Sequence, residues 1–471
     1  MSILLTVVSL MYLVSAACYV IGLHMMRTPK TARNGNRVSG VGMIIAVIMT
    51  LLVAISQKEA TMTGGIILVI GLVLGLGYGA VRARTVEMTD MPKLVSLFNA
   101  VGGGAAAAIG AFDYLSKSTG STLSFAFSFP VALDLVIGGI TFSGSLIATG
   151  KLAGKISGKP ITFPGAKVAN ALVVLVILVS VVLTIGFAVN PSWLILIICA
   201  SLLFGILMTI PIGGADMPVV VSLLNAFTGL AVSMAGFVID NQALIIAGAL
   251  VGAAGTILTL QMAAAMNRSV LNIIAGGFGT DDSKGASTEE VPVNVKETTA
   301  DDVGVQLAYA ANVMIVPGYG LAAAQAQHEV SELANLLTDH GINVNYAIHP
   351  VAGRMPGHMN VLLAEVNVPY DQMKQLEEAN SMFENTDVSL VIGANDVTNP
   401  AARRQGTAIT GMPILDVDKS KSIVVIKRSM STGYAGIQNE LFSEDNTHML
   451  FADAKKGLQD IIASTKEYLD E

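Results

Sequence analysis

The chain has 471 residues, of which 53% are hydrophobic and 13% charged, about half the charged share usual in a soluble globular protein. Mean hydropathy is +0.65, which excludes a disordered chain and argues against an ordinary soluble enzyme. Residues 1–268 hold 14 Lys/Arg and 7 Asp/Glu, a net of +7, whereas residues 269–471 hold 13 and 27, a net of −14. Halves of opposite sign imply two physical environments. The acidic half would repel a phosphate backbone, so no nucleic-acid partner is expected. Cys18 and Cys199 lie in separate apolar runs; two distant thiols make neither a disulfide framework nor a metal motif, and no metal is expected.

A helix crosses a bilayer with ~20 mostly apolar residues. Nine segments qualify, at about 3–24, 38–56, 62–81, 88–112, 125–150, 166–189, 192–211, 215–238 and 241–264. The first has no basic segment ahead of it and no clear cleavage site after it, so it reads as a span and not as a signal peptide. Clusters of cations fall on alternate connections: Arg27, Lys30, Arg33 and Arg37 after the first span, Arg82 and Arg84 after the third, Lys151, Lys155, Lys159 and Lys167 after the fifth, and Arg268 after the ninth. The positive-inside rule then places the N-terminus outside and the acidic half in the cytoplasm. Abundant Gly and Ala predict closely packed helices.

The fourth and eighth spans share Asp-Met-Pro-x-x-Val-Ser-Leu-x-Asn-Ala, from Asp90 and from Asp216, and the fifth and ninth echo one another weakly. The repeat is therefore about four helices long, and an even count makes the repeats parallel. Each copy carries Ser, Asn and Gly on one helix face: Ser96, Asn99 and Gly103, then Ser222, Asn225 and Gly229. Two such faces are expected to line a polar seam, with interhelical hydrogen-bond glue as the alternative. Asp90 and Asp216, each ahead of a Met-Pro, suit helix N-caps; Glu87 sits one turn before Asp90. Asp134 lies toward the outer end of the fifth span, and Asp113 and Asp240 at outer helix ends. Intramembrane acids mark ion or proton routes by default, but none of these stands clearly at mid-membrane.

The composition divides the chain into a transmembrane bundle over 1–268, a flexible linker over 269–303 and an α/β Rossmann-like domain over 304–471. The apolar run Val313–Pro317 precedes Gly318-Tyr319-Gly320-Leu321-Ala322-Ala323, and a helical stretch through Gln325, Val330, Leu333 and Leu337 follows. This is Gly-x-Gly-x-x-Ala between strand and helix, the dinucleotide fingerprint: the first glycine for a tight turn, the second for backbone N–H groups approaching a pyrophosphate. Gly77-Tyr78-Gly79, the same tripeptide in the third span, reads as packing. The next strand, 343–348, ends in His349-Pro350 with no acid and with Arg354 nearby, which favours a 2′-phosphorylated nucleotide, NADP. Further strands are expected at 361–366, 388–392 and 422–426, and helices near 370–380 and 452–468. Gly393-Ala394-Asn395-Asp396 follows one strand. Lys427-Arg428-Ser429 follows another and suits a phosphate dianion.

The fingerprint with GYGLAAAQAQHEV, HPVAGRMPGHMNVLLAE, GANDVTNPAA and KRSMSTGYAGIQN closely resembles the beta subunit of the proton-translocating NAD(P) transhydrogenases, over essentially the whole chain. The resemblance implies hydride transfer between NAD(H) on a separate alpha subunit and NADP(H) on this chain, coupled to proton translocation across a bacterial inner membrane. It also implies a dimer of alpha–beta units. Gly318, Tyr319, Gly320, Ala322 and Ala323 match its fingerprint turn, Arg354 its binding loop, and Gly393, Asn395 and Asp396 the segment beside the nicotinamide, where Asp396 is implied to sense redox state without acting as a nucleophile. Lys427, Arg428 and Ser429 match the 2′-phosphate pocket, and Tyr434 the lid. Asn99, Asn225, Asp216, Ser222 and Glu87 fall on the implied proton pathway. Some family members carry His where this chain has Asn99, and Asn does not titrate. The alternative from another class is a secondary transporter or channel with a regulatory nucleotide domain. Such domains usually keep the acid after the second strand.

Overall fold

The structure, a computed structural model, describes residues 2–26, 28–56, 62–117, 122–158, 160–187, 189–213, 216–266, 269–270, 273, 295–353, 357–405, 407, 409–433 and 435–469. It divides into two compact units, residues 1–212 with 220–259 and residues 213–219 with 260–471.

Nine helices among the described residues are long and apolar enough to cross a membrane: α1 Ser2–Met25, α2 Pro29–Ser56, α3 Met62–Thr85, α4 Met91–Ser116, α5 Phe125–Leu152, α6 Ala166–Gly186, α7 Pro191–Thr209, α8 Met217–Val238 and α9 Gln242–Ala265. The expected spans are thus present, with shifted ends. α2 begins at Pro29, where proline suits a first helical position, so Arg33 and Arg37 ride on the helix and not in a loop. α5 packs against α4, α6 and α7, and the crossings are built from small residues. A Cβ on Gly138 would fall 2.6 Å from the Gly103 carbonyl oxygen, and one on Gly248 2.6 Å from that of Gly229.

Those two crossings carry the repeat into three dimensions. Ser96 Oγ donates to the Ser145 carbonyl at 2.9 Å, and Ser222 Oγ to the Gly255 carbonyl at 3.4 Å. Thr149 and Thr259 donate to those same carbonyls at 2.8 and 2.7 Å. The pairs α4–α5 and α8–α9 are therefore two copies of one packing unit.

The second unit holds a seven-stranded sheet: β1 Lys296–Glu297, β2 Asn312–Pro317, β3 Asn343–Ile348, β4 Met373–Gln375, β5 Val388–Ile392, β6 Ser422–Lys427 and β7 Thr447–Phe451. Every pairing is parallel, in the order β1-β7-β6-β5-β2-β3-β4. Counted from β2, this is the doubly wound order 3-2-1-4-5-6, whose switch point falls between β2 and β5. The central strands β2, β5 and β6 are short apolar runs, as expected where helices cover both faces; Met314, Val316, Val391, Val425 and Met449 share one buried cluster. Helices α10 Ala300–Ala308, α11 Tyr319–Ala323, α12 Gln327–Asp339, α13 His358–Glu365, α14 Leu376–Asn380 and α15 Ala454–Leu469 complete the unit. At the N-terminal edge Asp387 accepts from the N–H groups of Ala311 and Asn312 and from Lys421. The lysine and those N–H groups hold its carboxyl below the usual range.

Four expectations need correction. The helix expected near 370–380 is confined to α14, with strand β4 before it. The run 361–366 forms the end of helix α13 and its C-cap, Val366, and not a strand; a six-residue apolar run does not distinguish the two. The helix after the fingerprint is broken: α11 ends at Ala323, Gln325 takes a left-handed φ of 50°, and α12 starts at Gln327. Regular structure also falls within the expected linker, since β1 pairs with β7 and a Thr299–Asp302 capping box opens α10.

Candidate functional site

The polypeptide crosses itself at the carboxyl ends of β2 and β5, where a doubly wound sheet places its ligand. The N–H of Gly318 donates to the Ile392 carbonyl at 2.9 Å, and that of Gly320 to the Gly393 carbonyl at 3.0 Å. A Cβ on Gly318 would overlap the backbone of Gly393 and Ala394, and one on Gly320 the Cα of Gly393; Gly393 itself has φ +67°. The fingerprint glycines thus serve a loop-on-loop contact. The Gly320 N–H, expected to face a pyrophosphate, is engaged by Gly393. Ala322 is buried and Ala323 exposed. Tyr319 meets His358 edge to face, with ring centroids 6.3 Å apart.

Asp396 follows this crossing. Its Oδ2 accepts from the Ala435 N–H at 3.0 Å, and a Cβ on Gly433 would overlap its carboxylate. Asn395, with its amide oxygen turned inward, accepts from the Gly433 N–H at 2.8 Å and from Lys427 Nζ at 3.3 Å. Lys427 also donates to the Ser431 carbonyl and lies 4.7 Å from the centre of the Phe442 ring. Burial lowers the pKa of its ammonium group, against a raising influence from Asp396. Asn439 Nδ2 donates to the Asn395 carbonyl at 2.9 Å. A cavity of about 180 Å³ opens here, lined by Asn395, Ser431, Thr432, Asn439 and Phe442 among others.

The structure therefore brings Gly318, Gly320 and Gly393 together, and Asn395, Asp396 and Lys427 together. Arg428 and Ser429 are exposed beside them, with Ser429 Oγ 3.3 Å from Ser431 Oγ. Arg354 and Tyr434 lie outside the described residues. Sequence reasoning passed over Ser431, Asn439 and Phe442, although Ser431 and Asn439 stand within the KRSMSTGYAGIQN motif. His349, at the end of β3, is a clamp: its Nδ1 accepts from the Val351 N–H and its Nε2 donates to the Pro413 carbonyl at 2.8 Å. Burial pushes its pKa down to about 4, so the imidazole is neutral at physiological pH.

In the bundle, Asn99 is buried and donates to the Val221 carbonyl at 3.2 Å, and Thr228 donates back to the Asn99 carbonyl at 3.3 Å. The polar faces of α4 and α8 thus meet. Ser96, Asn99 and Ser222 each donate to the backbone of another helix, the glue arrangement. Asn225 is half-buried and makes no such bond among the described residues. Asp90 does not cap α4 through its side chain; it pairs with Lys93 at 2.5 Å. Glu87 is exposed just ahead of it. Asp216 lies in the short segment 213–219 of the second unit, its N–H donating to the Gly213 carbonyl at 3.2 Å. Asp134 is buried at 0% exposure.

Spanning-length helices joined to a doubly wound parallel sheet with a glycine crossing at its switch point define a polytopic membrane protein with a dinucleotide-type domain. Comparison with known families gives the particular one. Residues 8–464 match the family described as NAD(P) transhydrogenase beta subunit. The NAD(P) transhydrogenase subunit beta of Rhodospirillum rubrum is 46% identical over 458 residues, spanning 96% of this chain and 97% of the relative. A strain-level sequence of that organism matches with the same identity and coverage. The chain belongs to the NAD(P) transhydrogenase beta subunit family, a family of oxidoreductases.

Proposed function

We propose that this chain binds NADP(H) at the carboxyl ends of β2, β5 and β6, while NAD(H) is held by an alpha subunit that must be present for turnover. Hydride passes between the two nicotinamides, and a proton crosses the bundle in step. The observation that carries the reading is the cluster of Asn395, Asp396 and Lys427 beside the glycine crossing at the switch point. The residues fit the nucleotide: Lys427, Arg428 and Ser429 at the end of β6 form a cationic, hydroxyl-bearing group suited to a 2′-phosphate. The cavity is smaller than the ~300 Å³ typical of a whole-ligand pocket, and so suits one end of a dinucleotide.

Bound NADP(H) supplies the hydride-carrying ring. This chain positions that ring and shields it from water; Asp396, held to Ala435 and against Gly433, ties the 430–436 segment over the site. Arg354 and Tyr434 complete the binding loop and the lid. Coupling requires two states of this segment, biased by protonation in the bundle, with Asn99, Asn225, Ser222, Asp216 and Glu87 along the proton's route. The cation pattern supports an outside N-terminus and a cytoplasmic α/β domain in a bacterial inner membrane. The family's alpha–beta organisation supports a dimer of alpha–beta pairs in the bilayer.

The test is nucleotide selectivity of the purified full-length chain. Tight, stoichiometric binding of NADPH in preference to NADH is expected. A preference for NADH would favour a regulatory domain on a transporter or channel.

A further inference from the structure

α5 carries a carboxyl group that this reading does not use. At 1.5 Å per residue, Asp134 lies about 14 Å from Phe125 and about 27 Å from Leu152 along the helix. α5 is longer than a hydrocarbon layer ~30 Å thick, and Asp134 stands about a third of the way along it. Among the described residues neither carboxyl oxygen has a hydrogen-bond partner. Room for the group is made by Gly110 of α4, where a Cβ would stand 2.7 Å from Oδ2. Its neighbours along the helix, Val131 and Leu135, belong to an apolar cluster with Tyr114, Leu194 and Ile197.

Among the described residues no cation answers it. α4 brings Lys93, Asp113 and Tyr114, with Lys117 just past its end; α6 brings Lys167, α7 Cys199, and α8 nothing titratable. Lys93 pairs with Asp90, Lys117 lies over the Phe127 ring at 4.8 Å, and the Tyr114 hydroxyl accepts from the Asn190 N–H. Lys151, at the far end of α5, donates to the carbonyls of Ile210 and Ile212. A carboxylate lacking both donors and counter-charge is costly to keep, and a proton on either oxygen removes that charge. Asp134 neither caps a helix nor makes a bond, so structure alone gives no reason to keep it. It also stands on the α5 stripe Asp134, Gly138, Thr141 and Ser145, which faces the α4 stripe of Gly110, Gly103 and Ser96. Asn99 lies on that same α4 face, about 16 Å along the helix from Gly110.

We propose that Asp134 is a proton-binding site of the bundle, loading from water on the Phe125 side and delivering toward Asn99 along the α4–α5 stripe. An O–H bond forms on the carboxylate as one breaks on the donor, and the reverse follows on delivery. The proposal rests on the bundle being the proton route, and it supplies a titrating group on a face where Asn99 provides none. The test uses the whole complex with its alpha subunit in sealed vesicles, comparing wild type with D134N, which keeps shape and removes the proton carrier. D134N is expected to cut proton pumping at least tenfold while NADPH affinity stays within twofold. Infrared difference spectra on a pH step should show a protonated-carboxyl band in wild type that D134N lacks. Pumping by D134N within twofold of wild type, or an identical band in both, overturns the proposal. Failure of the wild type itself to pump would instead sink the underlying reading.

Discussion

In the bundle, Ser96, Asn99, Ser222 and Lys151 all direct their donors to backbone carbonyls of other helices or of the turn after one. In the α/β unit bonds of that kind, such as Asn439 to the Asn395 carbonyl, are joined by ion pairs: Arg403 with Asp416 and Asp418, and Lys421 with Asp387. Where water competes, side-chain pairs tolerate loose geometry and contribute little each. Within a membrane-spanning bundle the backbone is the partner always at hand, and close approach of helices brings it within reach. Asp134 breaks that pattern, and among the described residues Asn225 is the member of the two repeated faces that leaves its amide without a carbonyl. Function in the bundle is therefore sought where the glue is missing, and in the α/β unit where loops cross.

The sharpest way to break the comparison is to block a crossing. G248L places a side chain onto the Gly229 carbonyl and the Ser233 backbone, a steric cost of ~3 kcal/mol or more. It should abolish recovery of folded protein in a gel-filtration assay, whereas G65L, where a Cβ meets nothing within 4 Å, should not. Next in size is N225L, which removes the uncommitted amide. Vesicle pumping is expected to fall at least tenfold with NADPH binding intact, and coupled pumping at wild-type rate would take Asn225 off the route. In the α/β unit, G433V forces the 430–436 segment off Asp396, and NADPH affinity in a fluorescence titration should weaken about tenfold, ~1.4 kcal/mol.

His349 gives a pH signature of the water-facing unit. Its folded pKa of about 4 lies below the 6.5 usual for an exposed imidazole, so between those values the unfolded chain binds more protons. Stability is complete above pH 6.5 and falls as pH drops toward 4, by at most roughly 3 kcal/mol. Calorimetry on wild type and H349Q should show that slope only in wild type. The smallest effect is expected for S96A, about 0.6 kcal/mol, and a loss several times larger would mean that Ser96 does more than join α4 to α5.

The spans and most strands were legible because each is an apolar run of diagnostic length, and 388–392 and 422–426 needed nothing more. The helix over 358–365 was not, since its run is too short to show a period. The fingerprint announced a crossover loop, but a motif cannot say whether Gly320 faces a ligand or Gly393. The Asn395–Asn439 and Asp396–Ala435 contacts join residues about forty apart, which no local spacing reveals.

The most direct test of the account imposes a pH difference across vesicles holding this chain with its alpha subunit and follows the rate of hydride exchange between NAD(H) and NADP(H). The account predicts acceleration in one direction, slowing in the other, and loss of both effects when a protonophore collapses the gradient. A rate indifferent to the gradient would contradict it.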